Sequence, residues 1–328
     1  MYALYAILRP EIWHAMKVAV IDMGTNTFHL IIVEVEKDDF KIVYREKTAV
    51  KIGEKGINHG MITDDAIDRA LKTLTKFKEV IEEEQVEQVF ATATSAIRNA
   101  QNGKGLVALI KEETGIQTRI ISGIQEAEYI YYGVNKALKI GDQPSLIMDI
   151  GGGSIEFVIG TTREILWRQS FEIGGQRMVE KFHKHDPMVQ EDKVALIEYL
   201  ESNLQELFEA CSQFSPKTLI GSSGTFDTLS DIYSLKANVE REKDATEYPL
   251  TIDAFMEIYH EMIIKGREER LAIPGMIPLR VDMIVVACEL VNYIIHKLEL
   301  TNIRVSAYAL KEGVLLNTLY TLKKEETL

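Results

Sequence analysis

One strand-turn-strand signature is written twice in this chain, as Val18-Ala-Val-Ile-Asp-Met-Gly-Thr-Asn-Thr-Phe-His-Leu-Ile-Ile and as Leu146-Ile-Met-Asp-Ile-Gly-Gly-Gly-Ser-Ile-Glu-Phe-Val-Ile. In each copy an apolar strand reaches an Asp (Asp22, Asp149), a Gly follows two residues later (Gly24, Gly151), and a second apolar strand leaves. This is the pattern of a β-hairpin. Small turn residues let backbone N–H groups approach an anion, and the carboxylate just before them can hold a metal or order a water. Two such hairpins facing one another would grip a polyphosphate chain from both sides.

The repeat continues beyond the hairpins. After the first come a strand near 41–50, a Gly-rich turn over 53–60, and a helix over about 63–84 with Thr63 as its N-cap. Ile67, Leu71, Leu74, Phe77, Val80 and Ile81 recur along that helix at helical spacing. A strand at 88–93, a helix at 103–114 and a strand at 118–121 complete the order βββαβαβ. The second hairpin is followed by a strand at 166–172, one long helix at 191–211, a strand at 218–220, helices within 252–298, a strand at 302–306 and a last helix at about 308–322. A helical segment at 125–138 joins the halves, which predicts two lobes hinged over a cleft. The last helix should return to the first lobe. The polar stretch Lys236 to Tyr248 reads as an exposed loop or a frayed helix end.

At 328 residues the chain is long enough for two domains. Its 46% hydrophobic and 27% charged residues are those of a globular protein. A formal charge of −13 argues against general nucleic-acid binding, because neutralising phosphates needs basic surface. Cys211 and Cys288 sit far apart in apolar helical patterns and read as buried free thiols, which fits a reducing cytoplasm. No apolar run is long enough to span a bilayer. Residues 1–15 join no pattern, and translation is expected to start at Met16.

Six segments together resemble the exopolyphosphatase and guanosine pentaphosphate phosphohydrolase family. They are Ile21-Asp-Met-Gly-Thr-Asn-Thr-Phe-His, Ala91-Thr-Ala-Thr-Ser-Ala-Ile-Arg, Ile121-Ser-Gly-Ile-Gln-Glu-Ala, Met148-Asp-Ile-Gly-Gly-Gly-Ser-Ile-Glu, Gly221-Ser-Ser-Gly-Thr and Val305-Ser-Ala-Tyr-Ala-Leu-Lys-Glu-Gly. The resemblance implies an α/β fold of two actin-like (ribonuclease H-like) lobes with duplicated βββαβαβα topology around a cleft. Lobe I would take residues 1–123 and about 309–328, and lobe II residues 124–308. It implies removal of the terminal phosphate from inorganic polyphosphate or guanosine pentaphosphate, usually with Mg²⁺, in a cytoplasmic protein with a small polyanionic substrate. A homodimer is an assembly the family often forms. Some relatives carry further C-terminal helical domains, and this chain looks like the short form.

Phosphoryl transfer to water needs an oriented nucleophile and neutralised phosphate oxygens. The resemblance places the water-activating base at Glu126. The family pattern there has Glu where this chain has Gln125, and Ile124 is also atypical. Arg98 suits bidentate phosphate contact. Gly24, Thr25, Asn26 and Gly151, Gly152, Gly153, Ser154 are the candidate phosphate loops. Ser223, Gly224 and Thr225, in the loop that resembles the superfold's adenosine side, read either as further binding residues or as a helix start. Asp149 and Glu156 are the preferred Mg²⁺ pair, with Asp22 opposite and Asp149 also counted as catalytic. His29 takes the place of Glu156 in the first copy and is expected to pack or to hydrogen-bond under the loop. Lys47 and Lys51 could add positive charge, and Asp282 reads as structural. Two other functions share these features: an ATP-using kinase or ATPase of the same superfold, and a non-catalytic sensor of an alarmone or polyphosphate.

Overall fold

The computed structural model describes residues 16–36, 39–242 and 244–325. The expectation about Met16 as the start therefore falls on residues 1–15, outside the described ones. The first lobe comprises β1 (Met16–Met23), β2 (Thr27–Glu36), β3 (Asp39–Ala49), α1 (Asp64–Glu83), β4 (Gln88–Ala93), α2 (Ser95–Asn99), α3 (Gly103–Thr114) and β5 (Thr118–Ile120). After α4 (Gly123–Leu138) the second lobe begins with β6 (Ser145–Ile150), β7 (Ile155–Gly160), β8 (Ile165–Phe171), α5 (Gly175–Phe182), α6 (Gln190–Asn203) and α7 (Gln205–Phe214). It continues with β9 (Thr218–Ser222), α8 (Ser223–Ala237), β10 (Glu247–Tyr248), α9 (Ile252–Ile264), α10 (Arg267–Leu271), α11 (Met283–Lys297), β11 (Asn302–Ser306) and α12 (Leu310–Glu325).

The two sheets have one topology. The first runs β3-β2-β1-β4-β5 and the second β8-β7-β6-β9-β11, with β10 added at the far edge. In each, the hairpin is antiparallel and its first strand pairs in parallel with the strand that follows the first helical crossover. These are two actin-like lobes, as the repeat predicts.

Strand alternation sends side chains to separate cores. Ala19, Ile21 and Met23 of β1 face the outer helices of lobe I, while Val18 and Val20 face inward. Leu146, Met148 and Ile150 of β6 pack outward in lobe II, and Ile147 turns inward. The inward set meets under α4 and α12, where Val18, Val20, Ile147 and Ile220 pack with Ile130, Val134, Val314 and Leu315. The lobes therefore share a third core, and α12 packs chiefly along α4 while touching β1. Gly133 and Gly313 permit that helix crossing: a Cβ on Gly133 would collide with the Ala309 carbonyl, and one on Gly313 with the Tyr129 carbonyl.

Several elements depart from the sequence pattern. The helix expected over 191–211 is two helices that break at the fully buried Leu204, with Leu196, Leu200 and Leu207 all buried in the core of lobe II. The five-residue α2 and eight-residue α5 are too short to show a period. The 236–248 stretch contains the end of α8 and the two-residue strand β10. Thr63 does occupy the N-cap of α1, but its side chain makes no capping bond. Asp64 and Asp65 in the first turn supply the favourable charge there instead. Cys211 and Cys288 are buried free thiols. Among the described residues no helix is long and apolar enough to cross a membrane.

Candidate active site

The hairpin registers build the floor of the cleft. Asp22 stands opposite His29 across β1 and β2, and Asp149 stands opposite Glu156 across β6 and β7. Paired positions share a face, so each Asp and its partner point the same way. The two turns meet tip to tip: a Cβ on Gly153 would lie 2.5 Å from Ser95 Oγ and 2.6 Å from Thr25 Oγ1. Only glycine admits that approach. Between the turns lies a cavity of about 110 Å³ whose lining includes Asp22, Glu126, Asp149 and Glu156 together with Lys47, Arg280 and Lys311.

Of the residues singled out from sequence, Gly24, Thr25, Asn26, Gly151, Gly152, Gly153, Ser154, Ser223 and Gly224 line this cavity with the four carboxylates. Arg98 and Thr225 do not. The Arg98 guanidinium lies behind Glu126: Nη1 donates to Glu126 Oε2 at 2.8 Å and to the Ile121 carbonyl at 3.2 Å, and Nη2 donates to Glu172 at 3.0 Å. Both of its terminal nitrogens are engaged by protein oxygens, so it braces the carboxylate. Thr225 is fully buried at the start of α8, with its hydroxyl turned into protein. The 221–225 segment is thus the end of β9 and the start of α8, and it contributes Ser223 and Gly224 to the cleft. Lys51 points away to Glu54, and Asp282 pairs with Arg267 at 3.0 Å, a structural contact.

Burial dominates the charges. Glu126, 6% exposed, is pushed up to about 7 by burial, and the Arg98 ion pair pulls the other way. Asp22 also rises to about 7, chiefly by burial, with Lys311 opposing, and its Oδ1 has no hydrogen-bond partner. Burial raises Asp149 as well, against hydroxyl bonds from Ser222 (2.7 Å) and Ser223 (2.8 Å). Glu156 lies well above the usual carboxylate range through burial and the nearby Glu126 and Asp149, although Ser170 donates to it at 2.7 Å. His29 is held neutral by burial and by the charge of Lys311, and its ring meets Thr27 Oγ1 at 2.9 Å. That hydrogen bond under the loop is the arrangement its position suggests.

Sequence reasoning missed the cations Lys311 and Arg280, and also Asp227. Burial opposes the charge on Lys311, yet Glu312, Asp227 and Asp22 raise its pKa overall. Burial lowers those of Arg280 and Lys47. Lys311 sits in the matched segment Val305 to Gly313, and Arg280 precedes Asp282. The signal in the sequence was a charged residue beside an apolar helix start.

Raised carboxyl pKa values set a testable sign. The folded chain binds protons at Asp22 and Glu126 more tightly than the unfolded chain, so their contribution to stability falls as pH rises from about 4 to about 7. Asp22→Asn is expected to melt several degrees above wild type at pH 8 in metal-free buffer, with the gap closing toward pH 4. Thermal denaturation at the two pH values checks this; an equal shift at both would contradict it.

Comparison with known proteins agrees with the two-lobed fold. The profile of the Ppx/GppA phosphatase family matches residues 31–322. The crystal structure of an exopolyphosphatase from Cytophaga hutchinsonii is similar at 45% identity and a TM-score of 0.91, covering 93% of this chain and 98% of that one. A Ppx/GppA family member from Aquifex aeolicus is similar at 27% identity and a TM-score of 0.77, covering 94% and 99%. A bifunctional 3-dehydroquinate synthase/phosphatase of Fusobacterium nucleatum is 30% identical over an alignment 270 residues long that covers 77% of this chain. The match spans only 40% of that longer relative. With the duplicated lobes, the paired loops and a family match over nearly its whole length, the chain belongs to the Ppx/GppA phosphatase family.

Proposed function

We propose that the protein is a phosphohydrolase that removes the terminal phosphate of inorganic polyphosphate, of guanosine pentaphosphate, or of both, by water attack in the cleft between the lobes. The observation that carries this reading is Glu126, a buried carboxylate with a pKa near 7 that lines the cavity between two phosphate loops. A base poised near the working pH is the form in which a carboxylate activates water best. The cavity's volume of about 110 Å³ also supports a phosphate tail over an enclosed nucleoside, since pockets for whole drug-sized ligands run to about 300 Å³ or more. Resemblance to an exopolyphosphatase over 93% of the chain points the same way.

In this reading the terminal phosphoryl group lies between the Gly24–Asn26 and Gly151–Ser154 turns. Lys311, Lys47 and Arg280 offset its charge and that of the phosphates behind it. Glu126 accepts a proton from a water in line with the scissile bond. The water oxygen bonds to phosphorus, the bridging P–O bond breaks, and the shortened chain leaves with the bridging oxygen. Arg98 keeps Glu126 aimed and favours its charged form.

Mg²⁺ fits the donors present. Asp22 offers a carboxylate oxygen without a partner, and Asp149 and Glu156 are cross-strand neighbours in the same cavity. Among the described residues no three His, Cys, Asp or Glu side chains form a ready-made cage. Mg²⁺ commonly keeps several waters and uses one or two carboxylates plus substrate phosphates. Asp149, Glu156 and Asp22 would hold it, and it would offset phosphate charge.

The test is phosphate release measured side by side on medium-chain polyphosphate, guanosine pentaphosphate and ATP, with and without Mg²⁺. Release from either or both of the first two, weak release from ATP, and loss of activity on chelation are expected. Preferential turnover of ATP would move the reading to an ATPase or kinase.

A further inference from the structure

We propose that Glu172 is a positioning residue that makes the aim of Glu126 depend on closure of the two lobes. The inference rests on the assignment of Glu126 as the base, and it extends that assignment to a residue outside the cavity lining and outside every motif noted above.

Glu172 follows β8 in lobe II, and the segment after it is bonded to the second phosphate loop. Gly174 N donates to the Gly153 carbonyl at 3.2 Å, Gly175 N to Gly151 at 2.8 Å and Gln176 N to Gly152 at 2.9 Å. The start of α5 is therefore fastened to the turn that meets the substrate. From this anchorage the Glu172 carboxylate crosses to lobe I. There it accepts from Ser95 Oγ at 2.5 Å and from Arg98 Nη2 at 3.0 Å.

The opposite arm of Arg98 holds Glu126 at 2.8 Å. One planar guanidinium is thus shared by two carboxylates, and its rigid fork fixes their relative placement. The resulting chain of contacts runs from the second phosphate loop through Glu172 and Arg98 to Glu126. Arg177 runs beside it, donating to the Gly153 carbonyl at 2.8 Å and to the Ile57 carbonyl of lobe I at 2.9 Å. Farther out, Glu180 receives Asn58 Nδ2 at 2.8 Å and the Lys55 N–H at 3.2 Å. The lobes are clasped along this side of the cleft.

Glu172 is partly exposed, with 42% of its side chain accessible, while Arg98 keeps 14%. A surface ion pair of this kind contributes little to global stability. Its effect is on geometry. With the lobes together, Glu172 holds the Arg98 fork against lobe II; when they part, Arg98 stays with lobe I at Ile121 while Glu126, on the α4 that packs against β7 and β8, withdraws with Glu172. The base then loses its brace, and a displacement of about 1 Å in a catalytic group can cost on the order of 10²-fold in rate. Full alignment therefore requires the second loop to be in place, which couples water activation to occupancy of the cleft.

The experiment is a double-mutant cycle with a structural readout. Glu172→Gln should lower kcat about 10-fold with KM within about two-fold of wild type and melting unchanged, and Glu172→Asp should recover part of the loss. In the Glu126→Gln background, Glu172→Gln should cause no further loss, because Glu172 acts through Glu126. Equal losses in both backgrounds, or wild-type kcat in the single variant, would overturn the proposal. Hydrogen exchange of the amides over 123–127 in the presence of inorganic phosphate gives a readout independent of turnover. It should speed up in Glu172→Gln, and unchanged exchange there overturns the proposal. If wild type hydrolyses none of the substrates, the functional reading fails while the exchange measurement still decides the role of Glu172.

Discussion

Replacing Glu126 by glutamine is expected to lower phosphate release by on the order of 10²-fold or more while leaving the fold intact. Glutamine keeps the size of the side chain and can still accept a hydrogen bond from Arg98, so the brace that holds position 126 is retained. What it loses is the capacity to take a proton from water. Removing a buried carboxylate whose charge is disfavoured by burial should also leave the variant at least as stable as wild type near pH 8. Loss of activity with equal or higher melting temperature is the combination that identifies a catalytic group, as distinct from a structural one. In wild type, kcat/KM should fall as pH drops through about 7, because the protonated carboxyl cannot act as a base. A Glu126→Gln enzyme that releases phosphate at the wild-type rate would remove Glu126 from the mechanism.

Gly313→Ala should be the most damaging single-methyl change in the protein. A Cβ at this position would overlap the backbone carbonyl of Tyr129, which belongs to α4 and cannot turn aside as a side-chain end can. Overpacking of a tight interior contact costs about 1–3 kcal/mol, and a clash with backbone belongs at or above the top of that range. The helix pair must separate, which loosens the core shared by the lobes and shifts Lys311, two residues earlier on α12, out of the cleft. We expect a loss of about 3 kcal/mol in urea denaturation and a fall in turnover with it. Gly105→Ala is the matched control. Gly105 lies within α3, is exposed and has open space where the added methyl would lie, with nothing within 4 Å, so a neutral or slightly stabilising effect is expected there. Comparable destabilisation in the two variants would show that helix glycines matter here for a reason other than close packing.

The duplicated hairpin made the architecture legible because the two copies obey one local rule. An apolar strand, an Asp, a small-residue turn and a second apolar strand must form a hairpin with the Asp at its mouth, and both do. The bounds of β4, α3 and β11 follow the sequence pattern residue for residue, since each is a simple periodic run with clear breakers. The long helix expected over 191–211 failed for the opposite reason. Its apolar spacing is continuous through Leu204, so nothing in the local pattern marks the break there.

By itself the sequence determined two lobes, two small-residue turns, four carboxylates at the cleft and a helical crossover between the lobes. These depend on spacing within short segments, and short segments carry their own geometry. Tertiary structure decided the charge balance and the brace. Lys311, Arg280 and Asp227 come from distant segments and become a set only when α8, α11 and α12 close around the cavity. Arg98 looks like a phosphate ligand in its own segment, yet in the folded chain Glu126 and Glu172 arrive from α4 and from the end of β8 to claim its guanidinium. A local motif fixes which groups are available, whereas which of them meet is set by the packing of elements far apart in the chain.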